Sequence, residues 1–382
     1  MPKTGILSIL PNLDARSQHS FDRLYHLVGQ NTGNLLFTNA VWNQIGGPKE
    51  RFSFSFDPEK LNSRLSALVI PAANWLGPTV DFSDLADCIE RLTIPVVLIG
   101  LGAQDASYSG SINVPEGTVR LVKAVAARSA SISVRGEYTK QILNGLGVQN
   151  VTVTGCPSLY HDFRRFTQPP SKPHVRADRG LIHSTRYSAS YAPFAKADSV
   201  HRRLFRFAFA RKLDILFQSE PEEMAWLAGL TKAGGLDDQL RSLLMEIYDA
   251  GDWDKLVAYW QAHGKVFYDV DEWSRSLDAY DYVLGTRLHG TIMALNSGVP
   301  AALVYHDSRT REMAEFAAIP SISAEQLRLD SRSVEALFRK ADLDRYYQRR
   351  KENHLKYQAF LKASGLNPAD GFGLAQEHKT EG

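Results

Sequence analysis

The sequence predicts an α/β protein made of two Rossmann-like domains whose parallel sheets face a central cleft. Short apolar runs alternate with amphipathic helical patterns along most of the 382 residues. This alternation is typical of parallel sheets with helices on both faces. It is interrupted by a segment rich in proline and charge over residues 167–180 and then resumes. A chain of this length favours two cores rather than one.

We therefore predict an N-terminal domain over residues 1–170, a C-terminal domain over residues 171–365 and a flexible tail over residues 366–382. In the first half, the apolar runs that predict strands are residues 5–10, 66–73, 95–102, 130–135 and 151–155. In the second half, they are residues 180–186, 214–220, 265–270, 281–286 and 301–306. Amphipathic patterns predict helices over residues 81–92 and 136–147, the second ending at a capping Gly147.

The composition excludes several classes of protein. With 44 lysines and arginines against 42 aspartates and glutamates, the net charge is +2, which argues against a general nucleic-acid-binding protein. Cys88 and Cys156 are too few for a disulfide framework and lack the spacing of a zinc site. No secretory signal pattern opens the sequence, and its longest apolar run, residues 94–103, is about half of a membrane span. We therefore expect a cytoplasmic protein.

Common cofactor and hydrolase motifs are missing from the sequence. The stretch GLGAQ, residues 100–104, lacks the third glycine of a dinucleotide fingerprint. Neither a Walker loop nor a nucleophile elbow occurs. Asp269 and Asp271 resemble a metal-binding aspartate pair, but Asp271 is better explained as the N-cap of the next helix. We expect no metal and no cofactor.

Four arginines follow predicted strands, at the sheet edge where open parallel sheets bind ligands. They are Arg135, Arg186, Arg287 and Arg309. Because guanidinium groups clamp carboxylate and phosphate through paired hydrogen bonds, these arginines predict an anion site. Each has a structural alternative: Arg135 can pair with Glu137, Arg186 can pack beside Tyr187 and Tyr191, and Arg309 can be an ordinary first-turn helix residue.

The strongest local signal is GTRLHGTIMALNSGVP, residues 285–300. An apolar strand ends here and a helix of small and apolar residues begins, so Arg287 lies beside a helix N-terminus with free backbone N–H groups. His289 lies two residues further on and is a candidate for proton transfer. Thr291 through Val299 then form the buried helix that supports the pair.

These motifs resemble the polysaccharide pyruvyltransferase family. The resemblance rests on residues 285–312 and 133–159, and more weakly on residues 31–41, and it extends from about residue 5 to 320. It implies a fold similar to the two-domain GT-B glycosyltransferases. It also implies a role in exopolysaccharide biosynthesis: transfer of the enolpyruvyl unit of phosphoenolpyruvate (PEP) to two hydroxyls of a sugar, giving a cyclic ketal and phosphate.

The family resemblance assigns PEP binding to Arg135, Arg287 and Arg309, and the acid to His289. Arg186 is a weaker candidate for the same anion, and many family members have a lysine in place of Arg309. A histidine held near the anions of PEP would have its pKa raised towards neutrality, which suits a general acid. Whether it protonates carbon, protonates the leaving phosphate or only binds it stays open.

The acceptor is expected on the N-terminal domain. Asn31 and Asn34 in NTGNLLF, and Asn74 and Trp75 in AANWLGP, can hold a sugar by hydrogen bonds and stacking, although both stretches can equally be tight turns. Such acceptors are often lipid-linked. The basic and aromatic stretch over residues 201–212 is therefore a candidate for contact with the inner face of the cytoplasmic membrane, the alternative being a surface helix with one face in the core.

Two other functions stay open. A glycosyltransferase of the same fold would need an acidic residue for a ribose, and Glu312 or Glu315 can serve. A non-catalytic glycan-binding relative would have kept the fold and lost the reaction. The density of arginines favours a compact trianion such as PEP over a nucleotide sugar.

Overall fold

Parallel β-sheets form the centres of the two halves of the protein in the computed structural model, which describes residues 3–10, 20–104, 112–163, 168–169, 175–186, 199–229 and 236–372. The strands are β1 (Lys3–Leu7), β2 (Lys49–Phe52), β3 (Leu65–Pro71), β4 (Val96–Ile99), β5 (Ile132–Val134), β6 (Val151–Val153), β7 (Gly180–His183), β8 (Asp214–Leu216), β9 (Gly264–Lys265), β10 (Tyr282–Gly285), β11 (Ala301–Tyr305) and β12 (Ser321–Ser323).

Helices alternate with these strands and cover the faces of the sheets. In the first half they are α1 (Phe21–Leu27), α2 (Gly33–Gln44), α3 (Pro58–Arg64), α4 (Ser83–Glu90), α5 (Glu116–Ala126) and α6 (Glu137–Gly145). In the second half they are α7 (Val200–Arg211), α8 (Pro221–Leu227), α9 (Asp238–Tyr248), α10 (Trp253–His263), α11 (Val270–Ser276), α12 (Leu288–Asn296), α13 (Ser308–Ala317), α14 (Ser331–Lys340) and α15 (Leu343–Ala363). Short 3-10 turns occupy Pro157–Tyr160 and Leu277–Ala279.

The sheet of the first half has the strand order β2-β1-β3-β4, and its pairs are parallel. β5 and β6 form a further parallel pair, which a bridge between Leu101 and Val134 connects to the loop after β4. The apolar runs of β3 and β4 are buried, as expected for parallel strands covered on both faces. β2 was not predicted, because its residues, KERF, are mostly polar and it lies at the sheet edge.

The sheet of the second half has the order β12-β11-β10-β7-β8-β9 and is also parallel throughout. β10, which precedes Arg287, lies inside this sheet and is fully buried. Together the two sheets confirm the predicted α/β class with two Rossmann-like halves. The predicted capping Gly147 follows α6 with a φ of 86°. The N-cap of α11 is Asp269, which accepts a hydrogen bond from the Glu272 N–H, so the assignment of this cap to Asp271 was wrong.

The last helix, α15, returns to the first half. The buried guanidinium of Arg350 donates hydrogen bonds to the backbone oxygens of Leu159 at 2.7 Å and His161 at 3.1 Å. Beyond the helix, the chain bonds to the end of α2, where the Gly46 N–H donates to Asn367 at 2.8 Å. Residues 366–372 are therefore packed, and the prediction of a flexible tail from residue 366 was wrong for them; residues 373–382 lie outside the described residues.

The basic helix α7 is part of the C-terminal half. Leu204, Phe205 and Phe207 are buried in its core, and Phe209 packs on aromatic rings of α9 and α10. Arg202 pairs with Glu246, and Arg203 donates to backbone oxygens before α14. The apolar face is thus unavailable to lipid, and the predicted membrane contact of residues 201–212 is replaced by its alternative, a surface helix with one face in the core. Among the described helices, none has the length and apolarity needed to cross a membrane.

Candidate active site

A cavity of about 60 Å³ lies between the two halves, at the carboxyl ends of strands from both sheets. Seven of the nine residues predicted for the site line it. They are Arg135, Arg287, Arg309, His289, Asn31, Asn34 and Asn74. Residues far apart in the sequence therefore meet where the two parallel sheets face each other.

Arg135 follows β5 and enters the site from the first half. It is 2% exposed, and its Nε donates to the Gly100 backbone oxygen at 2.9 Å while Nη1 donates to Asn74 Oδ1 at 2.7 Å. The alternative partner, Glu137, pairs instead with Lys140. Burial, together with nearby Arg309, lowers the pKa of Arg135, although an arginine stays charged at any working pH. Its position is thus fixed before any ligand binds.

Arg287 is the N-cap residue of α12, so the predicted junction of strand and helix is confirmed. Its backbone N–H donates to His183 Nδ1 at 3.0 Å, and its Nη2 donates to Ser219 Oγ at 2.6 Å. Ser219 is held in turn by the buried carboxylate of Glu220. As in any α-helix, the first backbone N–H groups of α12 have no hydrogen-bond acceptor within the helix itself. An anion beside Arg287 can therefore meet a guanidinium and a helix N-terminus together.

Arg309 lies in the first turn of α13, whose N-cap Asp307 forms a capping box with Thr310. Its Nη2 is 3.5 Å from Asp307 Oδ2, and its Nε has no hydrogen-bond partner among the described residues. Burial alone would raise the pKa of Asp307, but Arg309, His306 and the bonds from Thr310 lower it. Arg309 is less constrained by side-chain contacts than Arg135, so its place depends mainly on where α13 lies.

His289 is 9% exposed and lies in the first turn of α12. Its Nε2 is 3.6 Å from Cys156 Sγ, and its ring lies 5.5 Å from the ring of Phe37. Burial, followed by the charges of Arg135, Arg309 and Arg287, lowers the pKa of His289 well below its usual value. In the ligand-free protein the imidazole is therefore neutral. The expected rise of its pKa concerns the site with a bound anion.

Asn31 and Asn34, two of the three asparagines of the cavity, also hold the local backbone. Asn31 Oδ1 accepts the Gly33 N–H at 2.9 Å, and Asn34 Nδ2 donates to the backbone oxygens of Val28 and Gly29. The first of these bonds is an Asx turn, so the alternative of a tight turn applies to Asn31. Each amide nevertheless retains capacity for a second hydrogen bond towards the cavity.

Arg186 and Trp75 are not among the residues that line the cavity. Arg186 is 6% exposed and pairs with Glu222 and Glu223, which gives it a structural role next to the loop after β8. Trp75 packs between Phe54 and Phe82, with ring centroids 6.1 and 4.6 Å away. Tyr187 and Tyr191 lie outside the described residues.

Two further residues, Gln218 and His183, belong to the site or support it but were not predicted from the sequence. Gln218 lines the cavity, is 1% exposed, and its Oε1 has no hydrogen-bond partner among the described residues. Its backbone oxygen accepts the Thr32 N–H at 2.8 Å, which joins the two halves beside the cavity. The strand was predicted to run to Glu220, but β8 ends at Leu216. With the correct end, Gln218 would have been recognised as a polar residue that follows a strand, like the four arginines. His183 is the last residue of β7, and its Nδ1 accepts the hydrogen bond from the Arg287 backbone N–H.

The cavity brings together groups that are suited to binding an anion. No group of three histidine, cysteine, aspartate or glutamate side chains that could hold a metal ion occurs in the part of the chain that the structure describes. Asp269 serves as a helix cap, as described above. What converges on the cavity is a set of fixed cations, neutral amides and one imidazole.

The chain is similar to several solved structures at low sequence identity. Among solved structures, the UDP-N-acetylglucosamine 2-epimerase from Rickettsia bellii is 12% identical, covering 95% of this chain and 96% of that one with a TM-score of 0.47. The epimerase from Methanocaldococcus jannaschii in complex with UDP-GlcNAc and UDP is 13% identical, covering 94% and 100% with a TM-score of 0.44. Since both TM-scores are below 0.5, neither likeness bears on the activity of this chain.

No curated protein matches the chain significantly. The sequence model of the polysaccharide pyruvyl transferase family, in contrast, matches residues 31–308. The matched region is more than half of the chain, and it contains the cavity residues Asn31 to His289 and ends one residue before Arg309. The chain belongs to the polysaccharide pyruvyl transferase family.

Proposed function

We propose that the protein transfers the pyruvyl group of PEP to two hydroxyls of a saccharide, forming a cyclic ketal and releasing phosphate. The observation that supports this most directly is the convergence of Arg135, Arg287 and Arg309 with His289 on one cavity. Family membership supports the same class of reaction on a glycan.

Charge is the first reason for choosing PEP. At neutral pH the molecule carries one carboxylate and one phosphate dianion, so it brings three negative charges to three arginines. Burial is the main cause of the lowered pKa values of Arg135 and Arg287, and the charge of nearby Arg309 lowers both pKa values as well. A bound trianion would favour the charged form of both guanidinium groups. It would also use the paired donors of each guanidinium and the N-terminus of α12.

The chemistry gives His289 its role. A proton added to the methylene carbon of PEP makes the carbon that bears the phosphate electrophilic, and one saccharide hydroxyl adds there. Breakage of the bond from this carbon to the phosphate oxygen releases phosphate, and the second hydroxyl then adds to the same carbon. Of the two hydroxyl protons, one ends on the new methyl group and one on hydrogen phosphate. His289, neutral without ligand, would become the proton donor once the bound trianion raises its pKa.

The neutral amides around the cavity suit the acceptor. PEP at neutral pH has no hydrogen-bond donor of its own, whereas sugar hydroxyls both donate and accept. Asn31, Asn34 and Gln218 would bind hydroxyls beside the donor, and the ring cluster around Trp75 would offer a stacking surface further along the first half.

The size of the cavity implies movement during the reaction. Its volume is about 60 Å³, and about 10–15 Å³ of cavity volume measured in this way holds one water molecule. There is room for one anionic group but not for donor and acceptor together. We therefore propose that the halves separate to admit the substrates and close again over the reacting groups.

The deciding experiment mixes the purified protein with PEP and a panel of candidate glycans. Phosphate release is followed together with the mass gain of one pyruvyl ketal on the glycan. Both signals should appear together and should require PEP. A thermal-shift comparison of PEP with nucleotide sugars completes the test. Stabilisation by the nucleotide sugar alone would overturn the proposal in favour of a glycosyltransferase.

A further inference from the structure

A buried acidic side chain of the second half makes two hydrogen bonds to the first half beside the anion site. Glu312 in α13 is 3% exposed. Its Oε1 accepts the backbone N–H of Thr139 at 2.7 Å, and its Oε2 accepts a hydrogen bond from Thr139 Oγ1 at 2.9 Å. These two residues are 173 positions apart in the sequence. We call this contact the Glu312–Thr139 clasp.

The clasp caps a helix that cannot cap itself. Helix α6 begins after Gly136, an N-cap residue without a side chain, and Thr139 is the third residue of the helix. The third N–H of a helix is normally satisfied by the side chain of the N-cap residue. Here the bond comes from Glu312 of the other half, and a Cβ at position 136 would overlap the Glu312 side chain. The start of α6 and the Glu312 side chain of α13 therefore fit each other in shape and in hydrogen bonding.

Each partner of the clasp lies in the same short segment as a cation of the site. Arg135 lies four residues before Thr139, and Arg309 lies one helical turn before Glu312 on the same side of α13. We propose that Glu312 is a positioning residue which fixes the distance between Arg135 and Arg309, and hence the width of the anion site. This inference rests on the proposed binding of PEP.

Three features of the structure support this role. The Arg135 side chain is held by hydrogen bonds to the Gly100 backbone oxygen and to Asn74 Oδ1, whereas Arg309 is located mainly by the position of its helix. A buried carboxylate costs stability unless it is well bonded, and burial raises the pKa of Glu312 to about 7. An apolar side chain would avoid that cost but would leave the Thr139 N–H without the bond that joins the halves.

The test compares four variants by their affinity for PEP, measured by calorimetry, and by their unfolding midpoints. Glu312→Ala removes the clasp, and because small displacements of binding groups are costly, we expect its affinity for PEP to fall by about tenfold or more. Glu312→Gln keeps the shape and can bond to both Thr139 groups, so its affinity should stay within about threefold of the wild type. Thr139→Val removes one of the two bonds of the clasp, together with the hydrogen bond that Thr139 Oγ1 accepts from the Ala103 N–H at 3.0 Å. Its affinity for PEP should lie between those of Glu312→Ala and Glu312→Gln.

The control is Glu315→Gln. Glu315 lies in the same helix, but its side chain is 56% exposed and pairs with Arg311, so its loss should leave PEP affinity unchanged. A positioning role further requires that Glu312→Ala weaken binding more than it lowers kcat at saturating PEP. Unchanged PEP affinity in folded Glu312→Ala would overturn the inference. If that variant does not fold, unchanged affinity in Thr139→Val would do so.

Failure of the proposed function gives a different result. If the wild type binds no PEP, the function is wrong, and the four variants are then compared with inorganic phosphate as the anion. The same order of affinities would support the clasp as the device that positions an anion site. Equal affinities, or no phosphate binding by the wild type, would overturn it.

Discussion

At the scale of single residues, the protonation of His289 links binding to chemistry. Burial and three arginines keep its imidazole neutral without ligand. If PEP is the donor, as proposed, the bound trianion would oppose the effect of the three arginines, and the site would gain a proton on binding it. The proton needed for the proposed reaction would then arrive together with PEP.

We therefore expect PEP binding near pH 7 to be accompanied by proton uptake. Calorimetric titrations in two buffers with different enthalpies of ionisation measure it directly. Glu312, whose pKa burial raises to about 7, should contribute, so His289→Asn should abolish only part of the uptake. An apparent binding enthalpy that is independent of the buffer would contradict this assignment.

Arg287 and His289 should separate binding from turnover. Arg287→Ala removes a guanidinium beside the N-terminus of α12, and loss of bonds to a charged group should weaken PEP binding by about 10- to 100-fold. His289→Ala should keep most of the PEP affinity and abolish phosphate release. Binding is measured by calorimetry and turnover by phosphate release.

Arg287→Lys is the matched control for Arg287→Ala. It keeps the positive charge but loses the paired donors, so it should bind PEP with an affinity between those of the wild type and Arg287→Ala. If His289→Ala lost binding while Arg287→Ala lost only turnover, the two roles would have to be exchanged.

At the scale of elements, strand ends were the features that sequence could predict. Arg135, Arg287 and Arg309 each follow an apolar run that is a buried parallel strand, and such strands end at one edge of a sheet. Arg186 follows a strand as well, yet its guanidinium turns to Glu222 and Glu223. The direction of a side chain depends on neighbours from another loop, which the sequence pattern does not contain.

The contacts that the sequence did not predict are those between distant segments. Glu312 lies inside a helix, away from any strand end, and its partner Thr139 belongs to the other half. His183 is a histidine inside an apolar run, and its role appears only when β7 and β10 lie side by side. Short polar edge strands such as β2 and β12 lack the apolar run that predicts a strand.

The start of α12 should be sensitive to added volume. Gly290 lies against the ring of His183, and a Cβ there would be 2.8 Å from His183 Cδ2. Gly290→Ala should therefore push His183 away from the Arg287 N–H, and we expect it to lower the free energy of unfolding by about 1–3 kcal/mol and to weaken PEP binding. Denaturant unfolding and calorimetry measure the two effects.

Gly145→Ala supplies the comparison. Gly145 ends α6 and a Cβ there would meet open space, so this substitution should be neutral or raise the free energy of unfolding by about 0.5–1 kcal/mol. Equal effects of the two substitutions would mean that the packing of His183 against Gly290 has no influence on the site.

At the scale of the whole molecule, the two halves are joined beside the cavity and again through α15 and the segment that follows it. The Thr32–Gln218 bond and the Glu312–Thr139 clasp lie beside the cavity, while α15 and residues 366–372 bind the first half on the far side of α2. The sequence predicted the two halves but assigned everything to residue 365 to the second. A long polar helix gives no indication of which half its apolar face will cover.

This junction contains a histidine that should make the folded protein sensitive to acid. His354 in α15 is fully buried, and its ring stacks on Phe163 of the first half with centroids 3.8 Å apart. Burial, followed by nearby Arg350, lowers its pKa to about 4. Since an unfolded histidine titrates near 6.5, His354 favours the folded state above that pH, and this contribution is lost as the pH falls towards 4.

We therefore expect His354→Phe, which keeps the ring and removes the titration, to flatten the pH dependence of stability. Between pH 7 and pH 5 the variant should lose about 2 kcal/mol less of its free energy of unfolding than the wild type. Guanidinium unfolding at the two pH values measures the difference. His26→Phe, at the exposed end of α1, is the control that should follow the wild type. Parallel losses in His354→Phe and the wild type would show that folding does not lower the pKa of His354.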